Sequence, residues 1–203
     1  MSDEPDVHEL AKRLAMVLGS GWTYETPKVQ DGDRSPRYAS LRHTEGYGMH
    51  LAPIWNKPDR LEISGTWPKN FKGMVQVPHI PYGTPVKEQR PEITVATARG
   101  GEAIAAEIQK RFLPLYVSKW QEMAKEAKRQ DDHEAGQLAL IEKLAALTGE
   151  KLSDHNRERK TFTWKSGGWY SDIEVYSPTD ATLKLRVNAE QAERILKMLK
   201  AVA

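Results

Sequence analysis

The sequence predicts an α+β protein made of two helix–antiparallel sheet–helix units joined by a long kinked helix. Three observations lead there. Apolar residues recur at helical spacing near both ends and in the middle of the chain, so one side of each helix must meet a core. Between these stretches lie short runs that alternate polar and apolar, the period of a sheet with one wet face. The order helix, glycine, strands, helix also comes twice, a pattern consistent with internal duplication. The division that follows is an N-terminal α+β unit over 1–114 with a long proline-rich loop at 67–91, a helical connector over 115–136, and a C-terminal α-β-β-β-α unit over 137–203.

The first helix is expected from Pro5 to Leu18, capped by Ser2 or Asp3, with Val7, Leu10, Ala11, Leu14 and Leu18 on one stripe. Gly19 and Gly21 end it. Trp22 to Glu25 reads as a short strand and Pro27 to Pro36 as a loop. Arg37 to Thr44 and Tyr47 to Trp55 read as a hairpin turning at Glu45-Gly46. Pro53 marks the second hairpin strand as bulged or at an edge, because proline donates nothing to a ladder. Lys57-Pro58-Asp59 reads as a turn, and Arg60 to Thr66 as a strand with Leu61 and Ile63 inward. Trp67 to Pro91 carries Pro68, Pro78, Pro81, Pro85 and Pro91, and reads as irregular. Loops of that length in compact domains are commonly functional or ordered by a partner. Glu92 to Thr97 follows as a strand.

Gly101 to Leu113 is amphipathic through Ile104, Ala105, Ile108 and Phe112. Pro114 is expected to kink or break that helix before it resumes over Leu115 to Lys128. Gln130-Asp131-Asp132-His133 reads as a bend or as the wet part of a longer helix, and Leu138 to Leu147 is helical up to Gly149. Three strands follow, Lys160 to Lys165, Trp169 to Tyr176 and Ala181 to Val187. Their turns are Ser166-Gly167-Gly168 and Ser177-Pro178-Thr179-Asp180. Ile173, Val175, Leu183, Leu185 and Val187 are expected inward. Asn188 caps a last helix with Ala192, Ile195, Leu196 and Leu199 on its stripe.

The 203 residues are 39% hydrophobic and 29% charged, a globular balance. No apolar run approaches the roughly 20 residues that cross a bilayer. The start, Met1-Ser2-Asp3-Glu4-Pro5-Asp6, is acidic where a signal peptide is basic and then apolar. These features predict a cytoplasmic protein with no membrane partner. The absence of cysteine excludes disulfides, thiolate catalysis and thiolate-bound zinc or iron–sulfur clusters. A net charge of +2 is too mild to announce nucleic-acid binding, so an electrostatic site must come from local clustering.

The motifs of phosphate-binding loops, dinucleotide folds, zinc proteases and serine hydrolases are missing. His133-Glu134 opens like a zinc-protease helix, but the position of the second histidine is Gln137. His43 and His50 are expected near each other across the first hairpin, where an added acid would suit a metal; ordinary packed histidines are the plainer expectation. Asp31/Asp33 and Asp131/Asp132 read as solvated turn formers. No catalytic residue, metal or cofactor is therefore expected.

The more informative cluster is basic and aromatic. Residues 27–90 hold ten basic against six acidic residues, interleaved with Tyr38, Tyr47, Trp55, Trp67, Phe71 and Tyr82. Basic side chains neutralise phosphates, and exposed rings stack on bases or anchor protein interfaces. Arg99, beside Gly100-Gly101 at a helix start, adds outward-pointing amides that suit an anion. The candidate binding residues are Arg34, Arg37, Arg42, Lys57, Trp67, Lys69, Phe71, Lys72, Tyr82 and Arg99. Against this stands the plainer arrangement, in which the rings are core and the charges a solvated rim.

The helix–three strands–helix order resembles the topology of double-stranded-RNA-binding domains. Those domains place a basic cluster at the start of their second helix. Here Thr97-Ala98-Arg99-Gly100-Gly101-Glu102 and Val187-Asn188-Ala189-Glu190 are mostly neutral or acidic. The block Arg60-Leu61-Glu62-Ile63-Ser64-Gly65, with Ile93 to Arg99 and Ala103-Ile104-Ala105 to Pro114, is similar to uncharacterised proteins of bacteriophages and integrative elements. That resemblance implies a mobile-element origin and a bacterial host cytoplasm, with no defined activity.

The expected function is therefore a non-enzymatic macromolecule-binding protein of phage or mobile-element type. Its partner would be a host protein or protein–nucleic-acid complex, and its action inhibition of a nucleic-acid-handling or defence complex. Balanced charge and an aromatic, proline-rich loop favour a protein target. Direct DNA or RNA binding is the alternative, and an enzyme of unknown class comes third.

Overall fold

The computed structural model describes residues 6–26, 38–80, 86–166 and 169–202. The fold is α+β, with two antiparallel sheets and a long helix. The chain divides into two compact units, Met1–Lys128 and Arg129–Ala203. The boundary falls inside the stretch expected to be a connector. Among the described residues, no helix is long and apolar enough to cross a membrane.

In the N-terminal unit, α1 (Val7–Leu18) is capped by Asp6, whose carboxylate accepts from the amides of His8 at 2.9 Å and Glu9 at 3.3 Å. The cap is thus neither Ser2 nor Asp3, which lie outside the described residues. A side chain directly before the first turn reaches the free amides, and Asp6 is in that place. Val7, Ala11, Leu14 and Ala15 are buried, with Leu10 and Leu18 packed at the margin.

Five strands follow in sequential antiparallel order: β1 (Trp22–Glu25), β2 (Ala39–His43), β3 (Gly48–Ile54), β4 (Lys57–Gly65) and β5 (Glu92–Ala96). Alternation decides which face is dry. Ala39, Leu41, Met49, Leu51, Leu61, Ile63, Ile93 and Val95 are all buried. Each large side chain so removed from water contributes roughly 1.5–3 kcal/mol, so a one-residue slip in register would be strongly disfavoured. Pro53 lies in an inner strand, and the register shifts between Pro53 and Ile54, so it marks a bulge and no edge. The pair Ile54–Lys57 then closes a tight turn at Trp55-Asn56, so Lys57 and Asp59, read from sequence as a turn, begin β4. A single helical turn, α2 (Val86–Gln89), precedes β5.

After a 3-10 turn at Thr97–Arg99, α3 (Gly100–Glu107) runs through a π turn at Ile108–Phe112 into α4 (Leu113–Thr148). Ile104, Ala105, Ile108 and Phe112 complete the dry core, as their spacing predicts. Pro114 does not break the helix. The wider π turn directly before it accommodates a ring and a missing donor that a regular α-turn would not. Tyr116, fully buried, stacks on Phe112 at 4.9 Å. Its hydroxyl donates to Thr66 O and accepts from Gly48 N at 3.2 Å. A Cβ on Gly65 would sit 2.0 Å from the Tyr116 ring, so glycine alone lets the helix lie this close to the end of β4.

In the C-terminal unit, β6 (Thr161–Ser166), β7 (Trp169–Val175) and β8 (Ala181–Arg186) form a sequential antiparallel sheet. Ile141 and Ala145 of α4 pack on Phe162, Ile173 and Val175. A Cβ on Gly136 would meet Pro178 at 2.7 Å, and the Gln137 amide donates to Tyr176 O, so α4 and the β7–β8 turn are in close contact. Ser153 caps the short α5 (Asp154–Arg159) in a reciprocal pair with Asn156. The last helix, α6 (Ala189–Val202), is capped by Asn188 as expected, with Asn188 Oδ1 accepting from Gln191 N at 2.9 Å. Leu183 and Leu196, both expected inward, are 54% and 66% exposed. The buried cluster joins α4 to β6 and β7, and among the described residues none from β8 or α6 belongs to it.

Candidate functional site

Residues 67–77 form a closed arm. Lys69 and Val75 pair as an antiparallel bridge, and Gln76 N donates to Pro68 O at 2.8 Å. The tip is held by Asn70: its N–H donates to Met74 O at 3.0 Å, its carbonyl accepts from Gly73 N at 2.8 Å, and its side-chain oxygen accepts from Met74 N at 2.9 Å. Gly73, at φ 76, supplies the left-handed residue that closes such a turn. At the root, Thr66 N donates to Gly48 O at 2.9 Å, and Tyr116 holds the Thr66 carbonyl. Asn70 and Pro78 are buried.

What this frame displays is apolar. Phe71 is 65% exposed and Met74 53%, with Val75 and Val77 exposed beside them. Scattered exposed hydrophobes are ordinary, but a group of them on a fastened turn is the pattern of an interface anchor.

Beside the arm's root lies a pocket of about 730 Å³. Glu25 of β1, Arg42 of β2 and His50 of β3 reach it from the sheet; Trp67, Lys69 and Val75 reach it from the arm, and Trp120 from α4. The register explains the sheet's share. Glu25 pairs with Ser40, Ser40 with His50 and His50 with Ser64, so these polar residues form one row across the face opposite the core. Arg42 Nε donates to Glu25 at 2.6 Å; both side chains are about half exposed, so the pair orients more than it stabilises. Ser40 Oγ and His50 Nδ1 are 2.9 Å apart. Burial lowers the His50 pKa from 6.5, against an opposing pull from Glu25, so the imidazole is neutral at pH 7. Trp67 stands edge-on to Tyr116 at 5.7 Å and Trp120 edge-on to Tyr47 at 5.9 Å, which fixes both rings. The pocket thus offers two cations, one of them paired with the Glu25 carboxylate, a neutral imidazole and two held indoles, a combination suited to an anion on a flat or apolar body.

Of the residues singled out from sequence, Arg42, Trp67 and Lys69 share this pocket, and Phe71 and Lys72 form the arm's tip, with Lys72 Nζ 5.6 Å from the Phe71 ring centre. Lys57 begins β4, at the far end of the strand from the pocket-lining Gly65. Arg99 also belongs to that far end, since the neighbouring Thr97 hydroxyl donates to Asp59 O, and its guanidinium meets Glu107 at 3.2 Å. Arg34, Arg37 and Tyr82 lie outside the described residues, as do Asp31 and Asp33. His43 and His50 point to opposite faces of the sheet. His43 stacks on Tyr47 at 4.4 Å and meets Trp22 edge-on, while His50 meets Ser40, so the two do not form a metal pair. Among the described residues, no group of three or more histidines and acids is placed to hold a metal. Asp131 and Asp132 are within α4, not in a turn. Sequence reasoning passed over Asn70, Met74, Glu25 and Trp120. Asn70 with Gly73 three residues on was a readable turn signal; the others become neighbours only through strand register and helix packing.

No family model, curated protein or solved structure matches this chain.

Proposed function

We propose that the chain is a non-enzymatic binding protein that captures a protein partner with the arm at 67–77. The observation that supports this reading is the combination of a tip fastened by Asn70 and the exposed Phe71, Met74, Val75 and Val77. A turn already held in shape loses little entropy on binding, so apolar contacts at its tip translate into affinity. The resemblance to phage and integrative-element proteins directs the search to a host protein, including nucleic-acid-handling and defence complexes. Immobilised protein is expected to retain a stoichiometric partner from bacterial lysate after nuclease treatment, and Phe71→Ser/Met74→Ser to lose it. Equal capture by the double variant, or loss of the partner on nuclease treatment, would sink the proposal.

Direct nucleic-acid binding is the second reading, supported by Arg42, Lys69 and Trp67 around one pocket. It requires a mobility shift that weakens steeply with salt as counterions are released.

A further inference from the structure

We propose that the pocket at the root of the arm binds a nucleoside phosphate, with the phosphate on Arg42 and Lys69 and the base against Trp67 and Trp120. The volume, about 730 Å³, lies within the roughly 300–1,000 Å³ usual for small-molecule sites. Its charge is positive. Among the described lining residues the single acid is Glu25, and Arg42 already matches it at 2.6 Å, so Lys69 tips the balance. That ion pair also sets the direction of the guanidinium before any ligand arrives. A planar guanidinium and a mobile ammonium are the usual pair of groups on a phosphate. The indoles complement them. Trp67 rests on Tyr116, and Trp120 rests on Tyr47, so neither ring must be ordered by the ligand. A bare anion leaves these rings without a role, and an uncharged ring leaves Lys69 without one.

The two tryptophans in the pocket provide the signal. The intact protein would be titrated by tryptophan fluorescence with AMP, adenosine, inorganic phosphate and a short 5′-phosphorylated oligodeoxynucleotide. AMP should quench saturably and bind more tightly than adenosine or phosphate. Lys69→Ala, at an exposed position, should keep the melting temperature and weaken AMP by about tenfold, the loss of one charge-assisted contact. An oligonucleotide that displaces AMP assigns the site to a strand end; one that does not assigns it to a free nucleotide. Absence of saturation, adenosine or phosphate binding as tightly as AMP, or full AMP affinity in Lys69→Ala would each overturn the proposal. Phe71→Ser/Met74→Ser, which disables the arm, should leave the AMP signal intact, so this inference and the arm's capture of a protein fail separately.

Discussion

Tyr116 shows how much one hydroxyl can hold. It is fully buried, and it joins Gly48 of β3 to Thr66 at the start of the arm. Tyr116→Phe keeps the ring and strands the Gly48 amide, so the N-terminal unit should lose about 1–3 kcal/mol, the cost of a buried donor without a partner. Urea unfolding followed by circular dichroism would read this loss, and an unchanged midpoint would show that the hydroxyl holds nothing. His50 makes a second case, through pH. Its pKa is lowered in the folded chain by burial. As pH falls through the ordinary imidazole range the unfolded chain takes up the proton first, so stability is complete above about pH 6.5 and declines below it. His50→Gln should flatten that decline between roughly pH 6.5 and 5 relative to the parent, measured as the difference in melting temperature at each pH. The buried positions Leu61, Ile63, Ile104 and Phe112 were legible from spacing alone. Tyr116 and His50 were not, because their partners are set by packing between residues far apart in the chain.

At the scale of elements, local patterns carried well where one face had to be dry and poorly where geometry compensated for composition. The strand segments and the α1 and α3 stripes followed from alternation and helical spacing. Pro114 read as a break because a regular helix cannot hold it, and the π turn beside it was invisible in residue types. β8 and α6 read as core-facing because their residues are apolar, yet among the described residues the C-terminal buried cluster is drawn from α4, β6 and β7. The tract from Trp67 to Pro91 reads as irregular from its prolines, while the closure of 67–77 within it rests on a strand bridge and a buried asparagine. Asn70→Ala removes the side-chain acceptor for the Met74 amide. That amide should exchange with solvent about tenfold faster, as expected when roughly 1.4 kcal/mol of local closure is lost. The N-terminal unit's overall melting point should barely move. Unchanged exchange would mean that the bridge at Lys69 and Val75 suffices.

Across the whole molecule, each unit carries its own core. One cluster is drawn from residues 7–116 and the other from residues 141–175. Separate cores predict separate cooperative transitions, in which case a single unfolding free energy does not describe the chain. The C-terminal core contains a defect that can be used as a label. Ser171 is fully buried, and its hydroxyl has no hydrogen-bond partner among the described residues. It pairs across the sheet with Trp164 and Leu185, on the face that meets α4. Desolvating a hydroxyl without a partner is unfavourable, so Ser171→Ala should stabilise the C-terminal unit by about 1 kcal/mol. Calorimetry of the full chain should then show Ser171→Ala raising one transition and Tyr116→Phe lowering the other, with the double variant showing both shifts unchanged. A single transition moved by either substitution would mean that the two cores unfold as one. The arm and its pocket would then depend on the C-terminal sheet for their stability.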